Sequence, residues 1–253
     1  MGGAMLAGWR RSGLGPSYVL DPAPGAASLA SEAVTVAGSA DAIPASFRPD
    51  AVILAVKPQS AAAAVPTIAP FVRDAVVMSI MAGRTIAGIA ALTGSSAIVR
   101  AMPNTPAAIG QGFTAAFANA GVTEVQRGLC EGLLHSIGEV AWLAAEDQID
   151  AVTATSGSGP AYVFLLTELL EAAAIEQGLP ADLAKRLARR TVAGSGALLA
   201  NSDEAPAAMR VAVTSPGGTT ERALAVLMQA DAWPAAISRA VAAATARSRE
   251  LSS

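Results

Sequence analysis

The chain has 253 residues, enough for one large or two modest domains that each hold a core. Its net charge of −3, with neither a basic cluster nor a lysine-rich tail, argues against nucleic acid or an anionic membrane surface as partner. Apolar residues reach 53%, but alanine supplies much of that and no uncharged apolar run attains the roughly 20 residues that span a bilayer; the arginines of M-G-G-A-M-L-A-G-W-R-R follow the apolar patch, the reverse of a secretory signal, so a cytosolic protein of small-molecule chemistry is expected.

Short β-branched runs alternate with helical ones over the first part of the chain. Strands are expected at residues 18–21, 34–37, 51–56, 75–81, 97–102, 112–118 and 139–143. An unbroken run such as A-V-I-L-A-V is how a parallel strand covered on both faces reads, and helices between such strands imply right-handed β-α-β crossovers. The pattern is α/β, doubly wound and Rossmann-like. After Glu146 the strand signals stop, and helices are expected at 161–177, from Pro180 to about Asn201, at 219–230 and at 234–249. The expected division is a dinucleotide-binding domain at 1–146 and an all-helical domain at 147–253. The helical part carries more apolar surface than a domain of its size covers alone, and small residues at 193–197 let helices approach closely. A subunit interface is the natural use of that surface, with a fully internal core as the alternative.

Cys130 and His135 are the only residues of their kinds and lie five apart, which on a helix does not place them on one face. A metal site needs more ligands, so a buried thiol and a partly exposed histidine are expected, with no metal, disulfide or triad chemistry. Chemistry must then come from a bound cofactor.

The segment at 213–220, V-T-S-P-G-G-T-T, packs hydroxyls, glycines and a proline between two alanine-rich helical runs. Pro216 fixes a turn start, Gly217 and Gly218 permit positive φ, and Thr219 or Thr220 can cap the following helix. Amide groups in such a turn form a site for a small carboxylate. A second loop of this character, T-S-G-S-G-P-A-Y-V-F at 155–164, also opens a helix. With I-L-A-V-K-P-Q at 53–59 and R-A-M-P-N-T-P-A at 100–107, these segments resemble, in order, the motifs of the pyrroline-5-carboxylate reductases. The resemblance covers nearly the whole chain. It implies hydride transfer from NADH or NADPH to 1-pyrroline-5-carboxylate, giving L-proline, by a protein whose helical domains interlock as dimers or larger rings.

Carried onto this sequence, the resemblance implies that Ser215 and the backbone around Gly217, Gly218 and Thr219 clamp the substrate carboxylate. Thr220 hydrogen-bonds the ring nitrogen, its rival role being a helix cap, and Ser158 lines the far wall. Glu146 is a weaker substrate-site candidate. On the cofactor side, Ala55, Val56, Lys57 and Pro58 follow one strand and Ala82 and Gly83 follow the next, where ligands of open α/β sheets bind. Asn104 could hold the nicotinamide carboxamide or simply form a turn. Asp21, at a strand end with no arginine nearby, favours NADH over NADPH through the ribose, unless it only caps a helix. Gly2 and Gly3 look like the end of the family's G-x-G-x-M-G-x-A-M. A natural protein longer by about ten residues, one strand plus its turn, is therefore expected, and the chain as written is expected to bind NADH poorly. Two rivals remain: a β-hydroxyacid dehydrogenase, disfavoured because residues 147–170 lack a lysine for an alcohol's proton, and a cofactor-free helical scaffold.

Overall fold

The seven expected strands all form, close to their expected bounds, in a computed structural model that describes residues 1–252: β1 (Ser17–Leu20), β2 (Val34–Ala37), β3 (Ala51–Leu54), β4 (Val76–Ser79), β5 (Ile98–Met102), β6 (Gly112–Ala118) and β7 (Gly138–Trp142). They lie in two sheets. β1 pairs in parallel with β2, and the second sheet runs in the order β3-β4-β5-β6-β7. Among the described residues β1 and β3 each have a ladder on one side only.

The second sheet is parallel except at β5–β6, which pair antiparallel, against the expectation of parallel crossovers throughout. The reason is length: residues 103–111 fold as a single tight turn, too short for a crossover helix. Burial also shifts from the expected strand to its neighbours. The A-V-I-L of β3 is mostly half-buried because β3 is an edge, whereas V-V-M-S of β4 and I-V-R-A-M of β5 are buried throughout.

Side chains on β4 alternate between the two faces, as a period of two requires. Val76 and Met78 join Val99 and Ala101 of β5 against Met5 of α1 (Gly2–Arg11) and Cys130 and Leu134 of α4 (Glu124–His135). Val77 and Ile98 face the other way, against Ala61 of α2 (Ala61–Ala64) and Ile89 of α3 (Ile86–Thr93). Helices thus cover both faces, which makes the sheet doubly wound. Local chemistry sets the helix ends. Thr85 caps α3 by accepting from the Gly88 amide, and Thr123 and Gln126 form a reciprocal capping box on α4.

The remaining helices are α5 (Gln148–Val152), α6 (Gly159–Glu176), α7 (Ala181–Ala200), α8 (Pro206–Ala212), α9 (Thr219–Leu227) and α10 (Trp233–Ser252). α8 is not among the expected helices; Pro206 opens its first turn, where a missing N–H costs nothing. One compact unit comprises Met1–Gly157 together with the chain from Ala244 onward, and the other is Ser158–Ala243. α5 belongs to the first unit because Ile149 and Asp150 are buried there, and the Ser248 hydroxyl donates to Asp150 Oδ1 at 2.6 Å. In the second unit α6 and α7 pack together, burying Ala184 and Ala188 and leaving Phe164, Leu169 and Leu198 exposed. The stretch Gln148–Glu176 is long and apolar enough to cross a membrane by length and composition, although Glu168 and Glu171 interrupt it.

Candidate active site

The residues expected on the cofactor side emerge from one edge. β3, β4 and β5 are mutually parallel, so 55–58, 82–83 and Asn104 all follow carboxyl ends of neighbouring strands. α1 begins at the same edge: a Cβ on Gly2 would stand 3.0 Å from Ala55 Cβ, a tight contact, so glycine eases the close approach of the helix. Gly3 faces open space, with nothing within 4 Å of a Cβ there. A helix N-terminus beside the carboxyl ends of parallel strands is suited to a pyrophosphate. Ala55 and Lys57 are exposed, with Val56 and Pro58 half-buried. Asp21 directly follows β1, and its Oδ1 accepts from the Ala23 amide at 2.9 Å, which fixes the carboxylate in an Asx turn.

Two side chains support this edge that the sequence reading did not single out. Arg84 donates to the Pro58 carbonyl at 3.0 Å, bracing the loop after β3 from the loop after β4. Arg100, buried in the middle of β5, pairs with Glu146 Oε1 at 2.7 Å. The signal for Arg100 was present in the sequence, since an arginine inside I-V-R-A-M must have a buried partner.

Several expected residues acquire structural duties. Glu146 Oε1 accepts from both Arg100 and the Ile86 amide, each at 2.7 Å, so that oxygen is occupied by the pair and by the N-terminus of α3. Gly83 has φ +66, and a Cβ there would meet Leu251 Cβ at 2.6 Å; the end of α10 makes glycine necessary at this point. Asn104 uses both ends of its amide internally, accepting from the Phe113 amide at 2.9 Å and donating to the Ser156 hydroxyl at 3.1 Å.

In the second unit the turn at 214–218 is built from its own sequence. Gly217 adopts φ 72, which a side chain would resist, and the Gly218 amide donates to the Ser215 carbonyl at 3.0 Å. Gly218 is the N-cap of α9 and no side chain caps the helix, so neither threonine takes the expected capping role. Glu221 reaches back instead, accepting from the Gly217 amide at 2.8 Å. The amides of Gly217 and Gly218 are therefore satisfied within the turn. Those of Thr219 and Thr220, and the Thr220 hydroxyl, have no partner among the described residues. Ser215 is exposed, and Ser158 precedes α6 without capping it by its side chain.

Cys130 and His135 separate as expected. The thiol is fully buried, and desolvation pushes its pKa up to about 12, while His135 is exposed 3.8 Å from Glu131.

A doubly wound sheet with a helix N-terminus at its carboxyl edge, followed by a helical unit with open donors, defines a dinucleotide-dependent oxidoreductase. The pyrroline-5-carboxylate reductase dimerisation model matches residues 146–251. The pyrroline-5-carboxylate reductase of Pseudomonas aeruginosa is 38% identical over 258 residues, covering 99% of this chain and 93% of that protein. The solved structure of a pyrroline-5-carboxylate reductase from Coxiella burnetii has a TM-score of 0.89 at 33% identity, over 100% of this chain and 95% of that one. A Plasmodium falciparum pyrroline carboxylate reductase solved with NADP bound has a TM-score of 0.84 at 28% identity, covering 100% and 95%. The chain belongs to the pyrroline-5-carboxylate reductase family.

Proposed function

We propose that the protein reduces 1-pyrroline-5-carboxylate to L-proline with NADH or NADPH, as a homodimer or larger homo-oligomer in the cytoplasm. The observation that carries this reading is the start of α9, where two amides and the Thr220 hydroxyl stand unpaired. The amides of Thr219 and Thr220, with the Ser215 hydroxyl, clamp the substrate carboxylate at the positive end of the helix. Gly217 and Gly218 shape this turn. Thr220 holds the ring nitrogen, which takes a proton as the C=N carbon is reduced, and Ser158 lines the opposite wall. An imine needs no strong base for this step, consistent with a site that supplies hydroxyls and amides.

The first unit fits a dinucleotide. Gly2 and Gly3 give the pyrophosphate access to α1, 55–58 and Ala82 offer a low rim, and Asp21 takes the adenosine ribose and favours NADH. When bound, the reduced nicotinamide supplies the hydride, and the protein contributes placement and exclusion of competing geometry. The test is direct: the purified chain, given 1-pyrroline-5-carboxylate and enough NADH or NADPH to offset the weak cofactor binding expected of the chain as written, should oxidise the cofactor and release L-proline identified by mass spectrometry. Cofactor oxidation without proline, or none at all, overturns the reading.

A further inference from the structure

An asparagine at the start of a turn ordinarily caps it with its own side chain. Asn104 precedes the turn Thr105–Ile109, yet its side chain does not cap it. The amide instead reaches two distant elements. Its oxygen accepts from Phe113, which lies beyond the last β5–β6 register pair, Met102↔Ala115, so the side chain extends the ladder one step past the backbone. Its nitrogen donates to Ser156 Oγ, 52 residues away in sequence. Ser156 sits in Thr153–Gly157, a π-helical turn between α5 and α6. Such turns are strained insertions that persist where something holds them. Met102, two residues before Asn104, also touches this turn, its Sδ lying 3.7 Å from where a Gly157 Cβ would be. Ser158 leaves the turn two residues after Ser156.

We infer that Asn104 and Ser156 form a latch that fixes the π turn, making both positioning residues for the reduction, with Asn104 serving in this way in place of gripping the nicotinamide. The inference rests on the reductase reading above. The end of β5 thereby sets the backbone from which Ser158 and the T-S-G-S-G-P segment emerge, so the loop reaches substrate already ordered. Breaking the latch changes catalysis and leaves cofactor affinity in place, because each amide end is already held by an internal partner that fixes its direction.

The experiment uses Ser156→Ala, Ser156→Thr, Asn104→Ala and the double variant Asn104→Ala/Ser156→Ala. Ser156→Ala should lower kcat for 1-pyrroline-5-carboxylate about tenfold with the NADH Kd unchanged, and Ser156→Thr, which keeps the hydroxyl, should restore most of it. The double variant should lose less than the product of the two single losses, the signature of residues acting as a unit. Amide hydrogen exchange should show residues 153–158 losing protection in Ser156→Ala, and Phe113 as well in Asn104→Ala. A tenfold or greater loss of NADH affinity in Asn104→Ala, multiplicative effects, or unchanged exchange at 153–158 would overturn the latch. If the parent chain does not reduce the imine, the reductase reading fails alone and the exchange pattern still decides the latch.

Discussion

The two units of this chain handle their apolar residues in opposite ways. In the first, Val76, Val77, Met78, Ile98 and Leu134 are completely shielded, because helices close over both faces of a sheet. In the second, only Ala184 and Ala188 are buried, while Phe164 is 62% and Leu169 58% exposed. Valine and isoleucine outnumber leucine in the first unit and leucine outnumbers them in the second, as strands and helices favour, and the difference in burial follows from the architecture those residues build. A sheet offers two surfaces that its own crossovers can cover, whereas a few long helices leave outward stripes that only another chain can cover. The first unit covers its own apolar core, and the second leaves an apolar surface for another chain to cover.

Leu169→Asp tests that comparison most severely. It should dissociate the oligomer in sedimentation equilibrium and abolish turnover at enzyme concentrations that saturate the parent, while the circular dichroism of the chain stays helical. Burying one leucine contributes about 1.5–3 kcal/mol per copy, and an unpaired carboxylate in its place adds a desolvation cost. An oligomer that survives would show the stripe to face water.

Thr220→Val separates the units by task. It should lower kcat/KM for 1-pyrroline-5-carboxylate by about ten- to a thousandfold, with NADH binding by fluorescence titration little changed. Since Gly218 and Glu221 hold the start of α9, the loss should come without a fall in Tm. Unaltered turnover would leave the hydroxyl without a role.

A smaller effect is expected at Asp21. Asp21→Ala should lower kcat/KM with NADH by about tenfold and leave NADPH equal or improved, since it removes the ribose acceptor and a repulsive charge together. A parent enzyme that used NADPH at least as well as NADH would remove the basis for the ribose assignment.

The smallest effect belongs to the sealed core of the first unit. With its pKa raised from 9.0 to about 12 by burial, the Cys130 thiol stays protonated and should resist iodoacetamide near neutral pH until the protein unfolds. The exposed thiol of the unfolded chain ionises first. The contribution of Cys130 to stability is therefore whole below about pH 9 and declines as pH rises toward 12. Rapid labelling of the native protein would contradict the burial that distinguishes this unit from the other.

Much of this was legible because it is local. Strand runs and the S-P-G-G-T-T turn are each specified by neighbours a few residues apart, as are the Thr85 and Thr123 caps, which the sequence reading did not single out. What stayed hidden depends on partners far along the chain. The sequence marks Asn104 as a turn former or cofactor contact, but its partners, Phe113 and Ser156, carry no periodic signal. Gly83 reads as room for a ligand, while the close approach of Leu251 supplies a second reason for it. The antiparallel β6 was deducible from the short link before it, and the run of apparent strands obscured that. Even the cap reading of Thr220 failed for a local reason, since Gly218 is the N-cap of α9 and both threonines lie inside its first turn.

The hydrogen bond between Ser248 and Asp150 spans 98 residues, and it belongs to the unit that is otherwise made early in synthesis. A ribosome delivers the sheet and α5 well before it delivers the segment that closes over them. The first unit therefore waits, with Asp150 lacking its Ser248 partner, while the whole helical unit is translated in between. Closure of that long loop costs only slightly more entropy than a short one would. Its timing is the real constraint: the unit that looks independent is the last to be completed, and the helices that need a second chain are already outside when it happens.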